Sequence, residues 1–117
     1  MGKLSTHVLD VTRGKPGAGV TVELRARRGD KMVHLRTVVT NQDGRCDGPL
    51  LEGEEMQAGQ YELVFAVGDY FQKQGVELPQ PPFIDRVTIA FGIADTMQNY
   101  HVPLVVSPWS YSTYRGS

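Results

Sequence analysis

The sequence has almost no cysteine: Cys46 is the only one in 117 residues, so an internal disulfide is excluded. Its neighbours Gly44, Arg45, Asp47 and Gly48 lack the spacing of a zinc site or a redox motif. Arg45 could stabilise a thiolate, but a bystander thiol is the favoured interpretation. The fold must therefore depend on packing alone.

The chain also has almost no net charge and no long apolar run. The formal net charge is -1, the basic residues are scattered, and no segment approaches the ~18 consecutive apolar residues of a membrane span. We therefore expect neither nucleic acid nor membrane as a partner. No apolar leader follows Met1, so a cytoplasmic location is expected. With 40% hydrophobic residues, the chain is predicted to fold as one domain over residues 1–117.

Apolar and polar residues alternate through most of the chain, in short segments separated by Gly, Pro, Asn and Asp. In the clearest segment Val20, Val22, Leu24 and Ala26 alternate with polar residues, which is typical of a strand with one buried face. The pattern predicts an all-β fold: a two-sheet antiparallel β-sandwich of seven to eight strands with one short helix. The predicted strands cover residues 4–11, 20–27, 31–40, 60–67, 86–93, 99–107 and 108–115.

Two local features refine this prediction. The helix is expected over residues 68–75, with Asp69 capping its first amides and Gly75 ending it. Pro103 interrupts an otherwise strong strand, and because proline has no N–H, we expect it at a bulge or at an unpaired position.

The three histidines differ in context. His34 is predicted to be an ordinary surface residue of a strand. His7 and His101 each interrupt a largely apolar strand, so each ring is expected to be half buried. An imidazole with a pKa near 6.5 can accept a proton from water at neutral pH. From the residues alone, a packed histidine and a catalytic one both remain open for these two positions.

Arg45 and the end of the chain are further candidates. Arg45 follows a turn predicted at 41–44, and a guanidinium held by a fixed turn could clamp the oxygens of an anionic ring. Residues 107–117 contain aromatics, hydroxyls and Arg115, which is unusual because chain ends are normally plain and frayed. This tail could be an ordered part of a site or a routine edge strand.

Several of these segments resemble, in order and over nearly the whole chain, the 5-hydroxyisourate hydrolases of the transthyretin-like family. The segments are LSTHVLD (4–10), GKP (14–16), DGR (43–45), GDYF (68–71), YHVPL (100–104), and the tail from SP through YRGS (107–117). The closing tetrapeptide is the most specific of them, because it is similar to the ending that separates the hydrolases from the hormone carrier transthyretin.

The resemblance implies water addition to a ring carbonyl of 5-hydroxyisourate in urate and purine degradation. The ring opens to give 2-oxo-4-hydroxy-4-carboxy-5-ureidoimidazoline. The catalytic positions it implies are His7, Arg45, His101 and Ser117. The substrate-binding positions it implies are His7, Arg45, Tyr114, Arg115 and Gly116. It also implies a homotetramer, a dimer of dimers with sites where the dimers meet, and no metal or organic cofactor. Because Ser117 closes the sequence, a tag appended there is expected to disturb the site.

Three alternatives stay open at this point. A carrier of the same fold could bind a small aromatic ligand without catalysis, and it would not need a histidine pair. The histidines could instead bind zinc, since neutral imidazole is a good ligand for that metal. A structural immunoglobulin-like domain would fit the strand count but would leave the charged tail unexplained. Which histidine would be the general base is not evident from sequence.

Overall fold

The computed structural model describes residues 1–117 and contains two four-stranded sheets packed face to face. The first sheet has the order β2-β1-β7-β8 and the second has the order β4-β3-β5-β6. The strands are β1 Leu4–Asp10, β2 Lys15–Pro16, β3 Thr21–Arg28, β4 Lys31–Val39, β5 Gly59–Phe65, β6 Val87–Ile93, β7 Tyr100–Val106 and β8 Tyr111–Ser112. The predicted all-β sandwich with one short helix is confirmed.

One strand pairing differs from the expected antiparallel arrangement. Five of the six pairings are antiparallel, but β1 and β7 run parallel, from Leu4 beside Tyr100 to Asp10 beside Val106. Alternation along a segment shows which side chains are buried but not the direction of the neighbouring strand. The expected antiparallel direction is therefore wrong for β1 and β7. The difference matters because these two strands contain both candidate histidines.

The core lies between the two sheets and follows the alternation in the sequence. In β3 the side chains of Val22, Leu24 and Ala26 are fully buried, as predicted. On the facing strand β1, Leu4 and Val8 are also fully buried, and their neighbours point outward. One face of the first sheet thus packs against the core, and the other face points away from it.

The α-helix is close to its predicted position but has a different start. It spans Val67–Lys73, with Ala66 as N-cap and no capping side chain, so the prediction that Asp69 caps it is wrong. Asp69 lies in the first turn, where a carboxylate favours the positive end of the helix dipole. Gly75 has a φ of +80°, and its N–H donates to the Gln72 carbonyl, which confirms that the helix ends there.

Two other segments are shorter or more regular than expected. Residues 51–59, which lack a pattern, include a short 3₁₀ turn at Gly53–Glu55. The last strand has only two residues, Tyr111–Ser112, where eight were predicted. No helix in the structure has the length and apolar character needed to cross a membrane.

Candidate functional site

His7 and His101 lie on the same outer face of the first sheet, on the neighbouring strands β1 and β7. Because alternate side chains of β1 enter the core, Ser5 and His7 both point outward. In the parallel ladder Ser5 lies beside His101, and His7 lies beside Pro103. Adjacent strands are about 4.8 Å apart. The two histidines therefore sit diagonally to each other on one surface, half buried as predicted.

Arg45 joins this surface from the other edge of β1. It forms an isolated antiparallel bridge with His7. The preceding turn is fixed by Asn41, whose side-chain oxygen accepts the N–H of Asp43 at 2.9 Å and the N–H of Arg45 at 3.2 Å. Gly44 has a φ of +73°, and a Cβ there would lie 2.4 Å from the Val8 carbonyl oxygen. This confirms that Arg45 follows a tight turn, and glycine is required because the turn lies against β1.

The ring of His7 is held by the same turn. Its Nε2 atom lies 2.9 Å from the carbonyl oxygen of Asp43. A carbonyl oxygen can only accept a hydrogen bond, so Nε2 is the donor. The neutral ring of His7 therefore carries its proton on Nε2.

The ring of His101 is held by two neighbours. Its Nδ1 atom lies 2.9 Å from the Ser5 hydroxyl oxygen. Its backbone pairs with Gly116, whose N–H donates to the His101 carbonyl at 2.8 Å and whose carbonyl accepts the His101 N–H at 3.3 Å. Burial, followed by the charges of Arg45 and His7, lowers the pKa of His101 below its ordinary value. The ring is therefore mainly neutral near pH 7.

Pro103 lies in β7 at the point where the tail passes it. The proline keeps its register with His7, so there is no bulge, and the β7–β8 ladder covers only Val105 and Val106. Pro103 has no N–H to offer the tail, and its carbonyl accepts the Thr113 hydroxyl at 2.6 Å. The tail returns to the sheet at Gly116. The expected bulge is therefore absent: Pro103 stays in the β1–β7 ladder and is unpaired only with respect to β8.

A cleft of about 320 Å³ opens beside this surface. Arg45, Ser117, Ser5 and Lys3 line it, together with Thr6, Cys46, Gly48, Pro49 and Asn99. No Asp or Glu side chain is among the lining residues, so two cationic side chains give the cleft its charge. The cleft thus has the charge needed for an anionic, oxygen-rich ligand.

The histidines adjoin the cleft but do not line it in the single chain. Of the four catalytic positions that the resemblance implies, Arg45 and Ser117 line the cleft, and His7 and His101 lie outside its lining. The His7 ring contacts the Asp43 carbonyl of the turn, and the His101 ring contacts the Ser5 hydroxyl on the neighbouring strand.

Tyr114 and Arg115 lie in a different groove from the cleft. This groove, of about 200 Å³, is mainly apolar and lies between the tail, β6 and β7. The Arg115 guanidinium donates to the Gln98 side chain at 2.9 Å and to the Asn99 carbonyl at 3.1 Å, and it lies 4.5 Å from the centre of the Tyr100 ring. Within one chain, Arg115 therefore anchors the tail, and only Ser117 of the tail reaches the cleft.

The two remaining candidates, His34 and Cys46, fit the non-catalytic roles expected of them. His34 is exposed on β4 and contacts the Thr37 hydroxyl at 2.8 Å, as expected of a surface residue. Cys46 is half buried, and burial, with a smaller contribution from Asp47, raises the pKa of its thiol. A raised pKa disfavours the thiolate, in agreement with a bystander role. No group of three or more His, Cys, Asp or Glu side chains is arranged to bind a metal ion.

Sequence reasoning overlooked Ser5. It lies two residues before His7, so the period of a strand places both on one face. That signal was present in the sequence. Its importance depends on the parallel pairing with β7, which brings Ser5 beside His101.

Comparison with known proteins gives consistent matches over the whole chain. A family model described as HIUase/Transthyretin family matches residues 4–116. The chain is 58% identical to a 5-hydroxyisourate hydrolase of Ralstonia nicotianae, with 100% of both chains covered. The solved structure of Klebsiella pneumoniae 5-hydroxyisourate hydrolase is similar at a TM-score of 0.82 and 37% identity, again over 100% of both chains. An (S)-allantoin synthase structure is similar at a TM-score of 0.94 and 43% identity, and the match covers 99% of this chain but spans only 44% of that longer one.

Proposed function

The chain belongs to the HIUase/Transthyretin family, and on that premise we propose that it is an enzyme that hydrolyses 5-hydroxyisourate. The structural observation that supports this most strongly is the grouping of His7, His101 and Arg45 on one sheet face, beside a cleft that contains Ser117. The product is 2-oxo-4-hydroxy-4-carboxy-5-ureidoimidazoline, and the reaction belongs to the degradation of urate.

The reaction requires a base for water and a stabiliser for the developing oxyanion. A neutral histidine accepts one proton from water as the water oxygen attacks a ring carbonyl carbon, and the carbonyl oxygen becomes negative. Arg45, held by its turn, stabilises that charge. When the carbonyl C–N bond breaks, the ring nitrogen receives the proton that the histidine took up. Water is thus added across the bond, and the histidine returns to its neutral form.

The charge of the cleft supports this substrate class. Arg45 and Lys3 have the only charged side chains in its lining, and guanidinium binds planar oxygen pairs with two parallel hydrogen bonds. The substrate is a small ring rich in carbonyl oxygens. The carrier alternative has weaker support, because the Ralstonia and Klebsiella proteins, which match over their whole length, are 5-hydroxyisourate hydrolases and because binding alone does not require two held imidazoles.

The functional assembly in this proposal is a homotetramer, a dimer of dimers with the sites where the dimers meet. Two apolar side chains on the histidine-bearing face, Leu9 and Val105, lie side by side and are only half buried in the single chain. Covering them with a second copy would remove apolar surface from water and would also close the cleft. In such an assembly, Tyr114 from the tail of another chain could complete a pocket that one chain leaves open.

The assembly can be tested with Leu9→Glu, which places a charge on this face. Size-exclusion chromatography with light scattering should show a tetramer for the parent protein and a smaller species for the variant, with reduced activity. Val39→Glu is the matched control, because Val39 is already 59% exposed on the other sheet. A fully active parent protein that runs as a monomer would contradict the assembly.

The activity is tested by following the ultraviolet absorbance of 5-hydroxyisourate, generated in place from urate by urate oxidase. The absorbance should decay much faster with the protein present than without it. Boiled protein serves as the control for carried-over metal or buffer effects. An unchanged decay rate with correctly assembled protein would reject the hydrolase and would direct attention to ligand binding.

A further inference from the structure

We propose that Ser5 is a positioning residue that fixes the tautomer of His101 and thereby makes Nε2 of His101 the proton acceptor of the reaction. The inference rests on the proposed hydrolase function and extends it, because it assigns the base to one of two histidines. It also gives a role to a serine that the family resemblance leaves unassigned.

The two histidines are held through different nitrogens. His7 uses Nε2, the nitrogen farther from its backbone, to donate to the Asp43 carbonyl. Only Nδ1 of the neutral His7 ring is then unprotonated, and this nitrogen lies close to the strand backbone. His101 uses Nδ1 to contact Ser5, which leaves its outer nitrogen, Nε2, without a protein partner. Of the two rings, His101 therefore offers the better placed proton acceptor.

A serine hydroxyl is well suited to hold such a ring. A hydroxyl can donate to Nδ1 or accept from Nδ1–H; in the proposed arrangement it accepts, which places the lone pair of the neutral imidazole on Nε2. When Nε2 takes a proton from water, Nδ1 keeps its own proton and its bond to Ser5. The contact is thus favourable both before and after proton transfer, and the ring need not reorient during the reaction.

Ser5 is also connected to the place where substrate would bind. It lines the cleft that contains Arg45 and Ser117, while its hydroxyl contacts His101. Gly116 also packs against this side chain, since a Cβ at position 116 would lie 3.2 Å from Cδ2 of His101. Ser5 and Gly116 thus both restrict the movement of the imidazole.

The test compares Ser5→Ala with Ser5→Thr, which keeps the hydroxyl and suits a strand. The first readout is ¹⁵N NMR of histidine-labelled protein at a pH where His101 is neutral. The parent protein and Ser5→Thr should carry the His101 proton on Nδ1, and Ser5→Ala should shift it toward Nε2. The second readout is steady-state hydrolysis, in which Ser5→Ala should lower kcat roughly 10- to 100-fold with little change in KM, and Ser5→Thr should restore kcat.

The outcomes separate this inference from the proposed function. The same His101 tautomer in the parent protein and in Ser5→Ala would overturn the inference, whatever the rates are. An unchanged kcat in Ser5→Ala would overturn it too. If the parent protein fails to hydrolyse the substrate, the proposed function fails, while the NMR comparison still decides whether Ser5 sets the tautomer. Melting temperatures of both variants show whether any loss of rate is a loss of folding.

Discussion

Gly116 lies directly against the imidazole ring of His101. A Cβ atom at position 116 would be 3.1 Å from Cβ of His101 and 3.2 Å from its Cδ2. These distances are too short for ordinary contact, so any larger residue would displace the ring or the tail. The glycine of the closing tetrapeptide is thus explained by packing against the candidate base, since its backbone does not adopt a left-handed conformation.

Gly116→Ala should therefore reduce activity by about 10-fold or more, because a small displacement of a catalytic group is costly. The melting temperature should change little, since the tail lies at the surface. Steady-state kinetics and a thermal melt on the same preparation measure both effects. Parent-like kinetics would show that His101 does not depend on this contact.

His101→Asn should lower the rate of 5-hydroxyisourate hydrolysis by at least ~100-fold, the usual contribution of a general base. Asparagine keeps a polar side chain of similar reach but cannot accept the proton. His34→Asn is the matched control, because His34 is an exposed histidine of the other sheet. A near parent-like rate in His101→Asn would assign the base elsewhere, and His7 would be the next position to replace.

The pH dependence of kcat/KM should reflect the lowered pKa of His101. Burial, followed by the charge of Arg45 from the turn and by His7 from β1 when its ring is protonated, disfavours the imidazolium of His101. In the proposed mechanism the neutral form accepts the proton, so the rate should be constant near pH 7 and fall in acid, with a midpoint below the ordinary value of 6.5. A midpoint above 6.5 would contradict this assignment. The titration of His101 followed by ¹⁵N NMR is the independent measurement.

Arg115 should act by anchoring the tail. Arg115→Ala removes its bonds to Gln98 and Asn99 and its contact with Tyr100, so Ser117 should lose its fixed position and activity should fall roughly 10-fold. Arg115→Lys keeps the charge but not the paired donors and should be intermediate. Gln98→Ala separates the roles: a smaller loss in the same direction indicates anchoring, and no loss indicates that Arg115 acts on substrate instead.

Tyr70→Phe should destabilise the fold without affecting the site. The Tyr70 hydroxyl donates to the buried carboxylate of Asp10 at 2.8 Å, and burial, with a further contribution from Asp10, raises the pKa of Tyr70 to about 12. Losing a hydrogen bond to a charged group should lower the free energy of unfolding by about 2 kcal/mol. Urea unfolding at fixed protein concentration measures this change. Tyr111→Phe, at an exposed position, is the control and should change stability by less than about 0.5 kcal/mol.

Most of the longer strands and the turn before Arg45 could be predicted because their causes are local. Val22, Leu24 and Ala26 are buried since alternation fixes which side of a strand they occupy. The helix start could not be predicted in the same way. Asp69 is a suitable capping residue, but the chain is already helical from Val67, which is fully buried in the core. Packing thus outweighed the capping preference.

The sequence by itself determined which residues face outward, that Arg45 follows a tight turn, and that the tail differs from an ordinary chain end. These properties depend on neighbours within a few residues. Only the tertiary structure decided that β1 and β7 run parallel, which places Ser5 against His101. It likewise decided that Arg115 anchors the tail while Ser117 reaches the cleft. Contacts between residues 5 and 101 depend on strand pairing across the whole chain, and side-chain periodicity contains no information about which strands will pair.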